Sequence, residues 1–246
     1  MQQKTSMIFG RHPIVDAMRN GQSLDKILLQ KGIRGEFEKE IRQLSKANNI
    51  PVQVVPKERL NSLTRKNHQG IIAYLSLLNY YKLEDVLPGI YEQGEIPLLL
   101  ILDGITDVRN FGAIARSAVC CGVHAIVIPN KGTAQINAEA IKTSAGALPN
   151  ITICRAHSLV KAIDQLHLAG IQIFASALSA SVPINETDFK SPTAIIMGSE
   201  DKGVSKALLE KTNTNFIIPQ SSKTNSFNVS VATGIILYEV MRQRLH

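Results

Sequence analysis

Amide, hydroxyl and carboxylate groups gather in three stretches of this chain, each following an apolar run and the first two interleaved with glycine. The first leaves Leu102 through Asp103 and Gly104, passes Asn110, and enters a helix that carries Arg116 roughly two turns in. The second places Glu200 in a loop bracketed by Gly198 and Gly203, directly after Met197. The third runs from Ile218 through Asn225 to Ser226, Phe227, Asn228 and Ser230, just ahead of an apolar helix. Glycine lets backbone approach a ligand closely, the amides and hydroxyls supply neutral hydrogen bonds, and Arg116 and Glu200 supply one charge of each sign. Each stretch also has an ordinary reading. Asn110, Ser226 and Asn228 are residue types that cap helices, and Glu200 fits a salt-bridged surface turn. The spacing matches neither the GxGxxG dinucleotide fingerprint nor a Walker A loop.

The elements that must position these stretches alternate. Apolar runs at 98–102, 124–128, 151–154, 171–175, 193–197 and 216–218 have the length and composition of buried parallel strands. Helical stretches at 110–119, 159–168, 205–211 and 230–244 separate or follow them. Such alternation predicts an α/β domain with a mostly parallel sheet flanked by helices and ligands at the carboxyl ends of the strands. The first third predicts a smaller α/β unit: strands at 7–9, 26–29, 51–55 and 71–75, helices at 13–20 and 36–47. Between 78 and 96, Pro88, Gly89 and Gly94 punctuate a looser pattern, which predicts a linker between domains at 1–77 and 97–246.

Composition narrows the class. At 44% hydrophobic and 19% charged residues over 246 positions, the chain is that of a globular protein with a sizeable core. A formal charge of +7 and a pI near 9.4 favour a polyanionic partner. Cys120, Cys121 and Cys154 show no CxxC spacing and predict small core residues. The six histidines have no metal-ligand spacing, so no metal is expected. The start of the sequence lacks the apolar run of a signal peptide and no run spans a bilayer, so a reducing cytoplasm fits best.

Taken together, the three stretches closely resemble motifs one, two and three of the SpoU/TrmH family of RNA ribose 2′-O-methyltransferases. The matching pieces are Leu102-Asp-Gly with Asn110-Phe-Gly and Arg116, then Met197-Gly-Ser-Glu200 with Gly203, then Ile218-Pro with Ser226-Phe-Asn228-Val-Ser-Val-Ala. The likeness covers Leu98 to Arg244 and includes Lys142-Thr-Ser-Ala-Gly-Ala147; Phe227 stands where the family usually has Leu. It implies a SPOUT-type trefoil-knotted sheet and S-adenosylmethionine as cofactor. A knot is not something periodicity shows. By the same likeness, Gly198, Ile218, Phe227, Met197, Ala175 and Gly203 line the cofactor pocket. Arg116, Asn110, Glu200, Ser226 and Asn228 form the catalytic group. Family proposals make Arg116 a general base; because a guanidinium holds its proton, the expectation is that Arg116 instead grips a neighbouring phosphate and orients the hydroxyl.

The amino-terminal Ile8-Phe-Gly10-Arg-His-Pro and His68-Gln-Gly70 are similar to this family's small α/β (L30e-like) substrate-binding domain. Arg11, His12, Arg65, Lys66 and His68, with Arg34, make that domain a candidate RNA-reading surface, mixing phosphate-type and base-edge-type donors. The resemblance implies a homodimer joined through the knotted domain and a ribosomal RNA substrate, with a guanosine of 23S ribosomal RNA foremost. Transfer RNA, or an RNA-binding module without catalysis, are the alternatives.

Overall fold

The computed structural model describes residues 6–221 and 226–245. They fall into two compact units, one built from the chain up to Asn79, the other from 80–135 and from 139 onward.

In the first unit the order is β1 (Met7–Phe9), α1 (Arg11–Arg19), β2 (Leu24–Gln30), α2 (Glu36–Ala47), β3 (Val52–Val55), α3 (Lys57–Leu63) and β4 (Ile71–Leu75). The sheet runs β1-β4-β2-β3, with only the β2–β3 pair parallel. Strand alternation divides the core. Ile27, Leu29, Ile71 and Ala73 meet Ile14 and Met18 of α1 and Ile41 of α2, while Leu28 and Ile72 meet Leu60 of α3. Helix α1 starts at Arg11 rather than Pro13, which still sits in the first turn, where a missing N–H costs nothing. Helix α3 was not expected: in seven residues only Leu60 and Leu63 are apolar, too few to register as a period.

The second unit comprises β5 (Tyr80–Tyr81), α4 (Leu83–Glu92), β6 (Leu98–Asp103), α5 (Val108–Cys120), β7 (Ala125–Pro129), α6 (Ala138–Thr143), β8 (Thr152–Ala156), α7 (Leu159–Leu168), β9 (Gln172–Ser176), β10 (Val182–Pro183), β11 (Thr193–Gly198), α8 (Lys206–Leu209), β12 (Thr214–Ile217) and α9 (Val229–Arg244). Its eight-stranded sheet has the order β10-β12-β9-β11-β6-β7-β8-β5, with every pair parallel. Helices cover both faces, which is why residues 98–102 are all buried. Leu99, Ile101, Val127 and Ile173 pack with α4, α7 and α8. Helices α5 and α9 pack on each other.

Two expectations are corrected here. The stretch 78–96, expected as a linker of looser pattern, belongs from Tyr80 onward to the second unit. It carries β5 and α4, whose Leu83, Leu87 and Ile90 enter the second core. That apolar spacing is helical, but Pro88 inside the helix reads as a break. Cys154 is buried, and burial pushes its thiol up to about 12; Cys120, by contrast, is exposed on the last turn of α5 and is not a core residue.

Arg244 anchors the end of the chain. From the last turn of α9 its guanidinium donates to the carbonyls of Phe189, Ile96, Pro97 and Ser191, at 2.8 to 3.1 Å. Among the described residues no helix is long and apolar enough to cross a membrane.

Candidate active site

The site lies where the strand order reverses. From β6 the chain steps to β7 and β8, then crosses to β9 on the far side of β11, so the carboxyl ends of β6 and β11 flank the switch point where open α/β sheets bind ligands. There Asp103 and Gly198 are paired in register. Beyond Gly198 the chain folds back: Gly203 N–H donates to Ser199 O at 2.8 Å, and Asp103 Oδ2 accepts from Ser205 N–H at 2.8 Å. A Cβ on residue 198 would stand 2.0 Å from the carbonyl carbon of Gly203 and 2.1 Å from Val204 N, so only glycine fits. Gly203 itself has φ +65°, the left-handed conformation glycine adopts without strain.

This turn presents Glu200 to the other two motif stretches. Glu200 Oε1 accepts from Asn228 Nδ2 at 2.5 Å, from Asn110 Nδ2 at 3.1 Å and from Val229 N–H at 3.5 Å. Asn228 Nδ2 also reaches Asn110 Oδ1 at 3.1 Å. The three motifs are thus tied by side chains 118 and 90 residues apart in sequence. The helix-capping readings resolve differently for the two asparagines. Asn110 is not a cap; Asp107 is, with Oδ1 accepting from the backbone of Arg109 and Asn110 at 2.9 Å each. Those donors, Asn110 first, hold the Asp107 carboxyl below its ordinary range. Asn228 both caps α9, through Oδ1 to Ser230 N–H, and binds Glu200 through Nδ2.

On one side of the Glu200 turn is a cavity of about 400 Å³, in the range of small-molecule sites. Met197, Gly198, Glu200, Gly203, Ile218, Ser226 and Phe227 all line it, seven residues expected from sequence. Val204, Leu209 and Ile217 extend its apolar wall, and Asp201 adds a second carboxylate. Ala175 does not line it: the residue is fully buried inside β9, and the next residues, Ser176 to Ser179, face the cavity instead. Their position at a strand's carboxyl end is the signal that could have found them. Phe227 is 41% exposed, a cavity wall rather than a core residue. Asn225 lies outside the described residues. On the other side of the turn is a recess of about 330 Å³ lined by Gly104, Asp107, Asn110 and Lys202, so Glu200 belongs to a wall between two spaces. Arg116 joins neither. It is exposed on α5, six residues and about 9 Å beyond Asn110, with no hydrogen-bond or ion-pair partner among the described residues. No three described His, Cys, Asp or Glu residues are placed to hold a metal ion.

The first unit holds a cleft of about 770 Å³ of its own, lined among others by Arg11, His12, Arg65, Lys66 and His68. Arg11 stacks over Phe37 and Lys66 over Phe9, which limits where these cations can swing. His68 departs from expectation. It is 7% exposed, and both ring nitrogens are used inside the fold, by Gly70 N–H at 3.0 Å and Asn61 Oδ1 at 2.8 Å. It shapes the loop and has no donor left for RNA. Lys57 and Asn61 of α3 line the cleft as well; the sequence pattern missed them along with their helix.

A parallel α/β sheet with a ligand cavity and a clamped carboxylate at its switch point defines a class of cofactor-using enzymes. Comparison with known proteins specifies it. Residues 97–238 match the SpoU rRNA Methylase family and residues 7–81 match the family described as RNA 2′-O ribose methyltransferase substrate binding. The chain belongs to the SpoU rRNA methylase family. It is 30% identical over 245 residues to a protein of Bacillus subtilis (strain 168) named as a TrmH family tRNA/rRNA methyltransferase, YacO, covering 99% of this chain and 98% of that one. An AdoMet-bound rRNA methyltransferase from Sinorhizobium meliloti superposes with a TM-score of 0.60 at 25% identity, over 96% of this chain and 86% of that one. The TrmH/SpoU tRNA modifying enzyme of A. aeolicus superposes with a TM-score of 0.56 at 31% identity, over 66% of this chain and 84% of that one.

Proposed function

We propose that this protein transfers a methyl group from S-adenosylmethionine to a ribose 2′-hydroxyl of ribosomal RNA, a guanosine of 23S ribosomal RNA being the foremost target. The observation that carries the reading is the Glu200 clamp, which ties all three motif stretches together at the wall between the 400 Å³ cavity and the neighbouring recess. The cavity's lining fits the cofactor. Ile217, Ile218, Leu209 and Phe227 offer an apolar surface for a nucleobase, and the carboxylates of Glu200 and Asp201 complement a sulfonium cation. When bound, that group supplies an activated methyl.

The chain's own residues then have to align a ribose oxygen and let its proton leave. Asn110 and Asn228, held through Glu200, fix the wall against which the ribose would lie. Ser226 lines the cavity and is a candidate to hydrogen-bond the hydroxyl. Arg116, exposed on α5, is suited to gripping a phosphate of the substrate and orienting the hydroxyl from outside the cavity, with the proton passing to phosphate or water.

Two observations favour ribosomal RNA over transfer RNA. The match at residues 7–81 adds a substrate-binding unit. The A. aeolicus tRNA modifying enzyme leaves about a third of this chain uncovered, as large a share as that unit makes up. We further propose a homodimer joined through α9, which leaves Val231 and Tyr238 exposed seven residues apart on one side of the helix. The cytoplasm is the proposed compartment, and the trefoil knot remains a proposal from family likeness.

Mapping 2′-O-methyl groups in ribosomal and transfer RNA from cells with and without the gene tests the assignment. Loss of one ribosomal site is expected. Loss confined to transfer RNA would move the substrate, and an unchanged map together with no S-adenosylmethionine binding by calorimetry would leave a non-catalytic RNA-binding module.

A further inference from the structure

The hydrogen-bond polarity of the first unit's cleft can be assigned atom by atom. The backbone N–H of Gly70 only donates, and it meets His68 Nδ1 at 3.0 Å, so that nitrogen accepts. The neutral ring then carries its proton on Nε2 and gives it to Asn61 Oδ1 at 2.8 Å. Two more backbone donors act alike: Gln69 N–H gives to Asn67 Oδ1 at 3.2 Å, and Arg11 N–H gives to Gln69 Oε1 at 2.9 Å. All three amides, Asn61, Asn67 and Gln69, therefore have their oxygen engaged within the fold. Their NH₂ groups have no partner among the described residues, and all three line the cleft. Lys57, Arg65 and Lys66 stand beside them and can only donate.

The turn that holds the amides is itself well determined. His68 O accepts from Ile71 N–H at 3.0 Å, with φ +51° at Gln69 and +80° at Gly70, the two positive values of a type I′ turn. A Cβ at Gly70 would lie 2.4 Å from Ile33 Cδ1. Charge is apportioned to match. Residues up to Asn79 carry thirteen Lys and Arg against six Asp and Glu, a net +7, whereas the rest of the chain carries fourteen of each. The whole formal charge thus belongs to the unit with this cleft.

We infer that the cleft grips the sugar–phosphate backbone of the RNA in preference to base edges. Base edges present donors as well as acceptors, and a donor-only surface meets only their accepting atoms, such as guanine O6 and N7, whereas it meets every phosphate oxygen. Phosphate oxygens only accept, and the cleft offers a row of fixed amide donors among cations. Gln30, His12 and Thr64, with the second lone pairs of the engaged amide oxygens, retain accepting capacity on its lining, but no carboxylate lies among the described lining residues to repel phosphate. Target choice then falls to the shape of the backbone, or to the catalytic unit. This rests on the RNA methyltransferase reading and deepens it.

The test is RNA binding by the full chain, followed by fluorescence anisotropy across a salt series, on two hairpins of equal length with unrelated loop sequences. Gln69→Glu and Asn67→Asp replace an NH₂ by a carboxylate oxygen and keep the oxygen that the backbone N–H needs. Both are expected to weaken the two RNAs by the same factor, about tenfold. Lys57→Gln, at the exposed start of α3, is expected to lower the slope of log K against log[salt] by about one. Should a carboxylate variant fail to fold by thermal melting, Lys57→Gln and the equally exposed Arg65→Gln carry the test alone. Unequal losses on the two hairpins, or affinity untouched by any folded variant, overturn the inference while leaving the activity standing. A wild-type chain that binds neither hairpin and transfers no methyl group instead overturns the functional reading itself.

Discussion

Asn228 donates from Nδ2 to Glu200 Oε1 at 2.5 Å while its own Oδ1 caps α9, so the final helix and the second motif loop are held by a single side chain. Hydrogen bonds to a charged group are worth about 1.5–3 kcal/mol each. Glu200→Ala strands the amide donors of both asparagines and is expected to lower kcat/KM for methyl transfer about a hundredfold or more. Glu200→Gln keeps an accepting oxygen and is expected to stay within about tenfold of wild type. Equal losses in the two variants would mean that the negative charge, not the clamp, is what the site needs.

Gly198 is the tightest point of the cavity wall. Because an added Cβ would sit 2.0 Å from backbone rather than against a side chain that could turn away, Gly198→Ala must displace the 199–204 turn that carries Glu200. Cofactor binding by calorimetry is expected to fall at least about tenfold, with loss of methyl transfer to match. Binding of S-adenosylmethionine at wild-type affinity would show that this turn does not shape the pocket.

How far the sequence foresees this site depends on what kind of signal each residue leaves. Parallel strands buried on both faces are continuous apolar runs, so 98–102 and 193–197 are legible, and with them the loops at their carboxyl ends. Helices α2 and α7 declare themselves by apolar spacing. The two-residue strands β5 and β10 at the sheet edges, and helix α3, are too short to show a period. Role assignments are harder than positions. Asp107 and Asn110 are both residue types that cap helices; in the fold Asp107 caps α5 while the Asn110 side chain reaches Glu200, 90 residues away. His68 looks like a base-edge donor until Gly70 and Asn61 are seen to occupy both its nitrogens. Ala175 lies one position short of the cavity, a distinction set by where β9 ends.

The cap of α5 has a pH dependence with a definite sign. Backbone donors depress the Asp107 carboxyl below its unfolded value. Its contribution is therefore fully present above the ordinary aspartate range near pH 3.9 and is lost as pH falls through the depressed value. Asp107→Asn retains a capping oxygen that does not titrate. The melting temperature of wild type is expected to exceed that of Asp107→Asn above about pH 5, with the gap closing below about pH 4. A gap that stays constant over that range would show that the cap's charge is immaterial to stability.

Arg116 is the residue whose proposed role depends least on the cavity. It projects from α5 about a turn and a half beyond Asn110, exposed and without a partner among the described residues, as a group that waits for substrate would. Lysine keeps the charge but not the planar pair of N–H donors that grips a phosphate. Arg116→Lys is therefore expected to reduce kcat/KM about a hundredfold, with S-adenosylmethionine binding unchanged by calorimetry. The shape of the pH–rate profile should also be preserved, since no proton-accepting group has been exchanged. Near wild-type activity would sink the bidentate-phosphate role. A profile that gains a new basic limb with lysine in place would instead make residue 116 the proton acceptor, and the phosphate or water route would have to be abandoned.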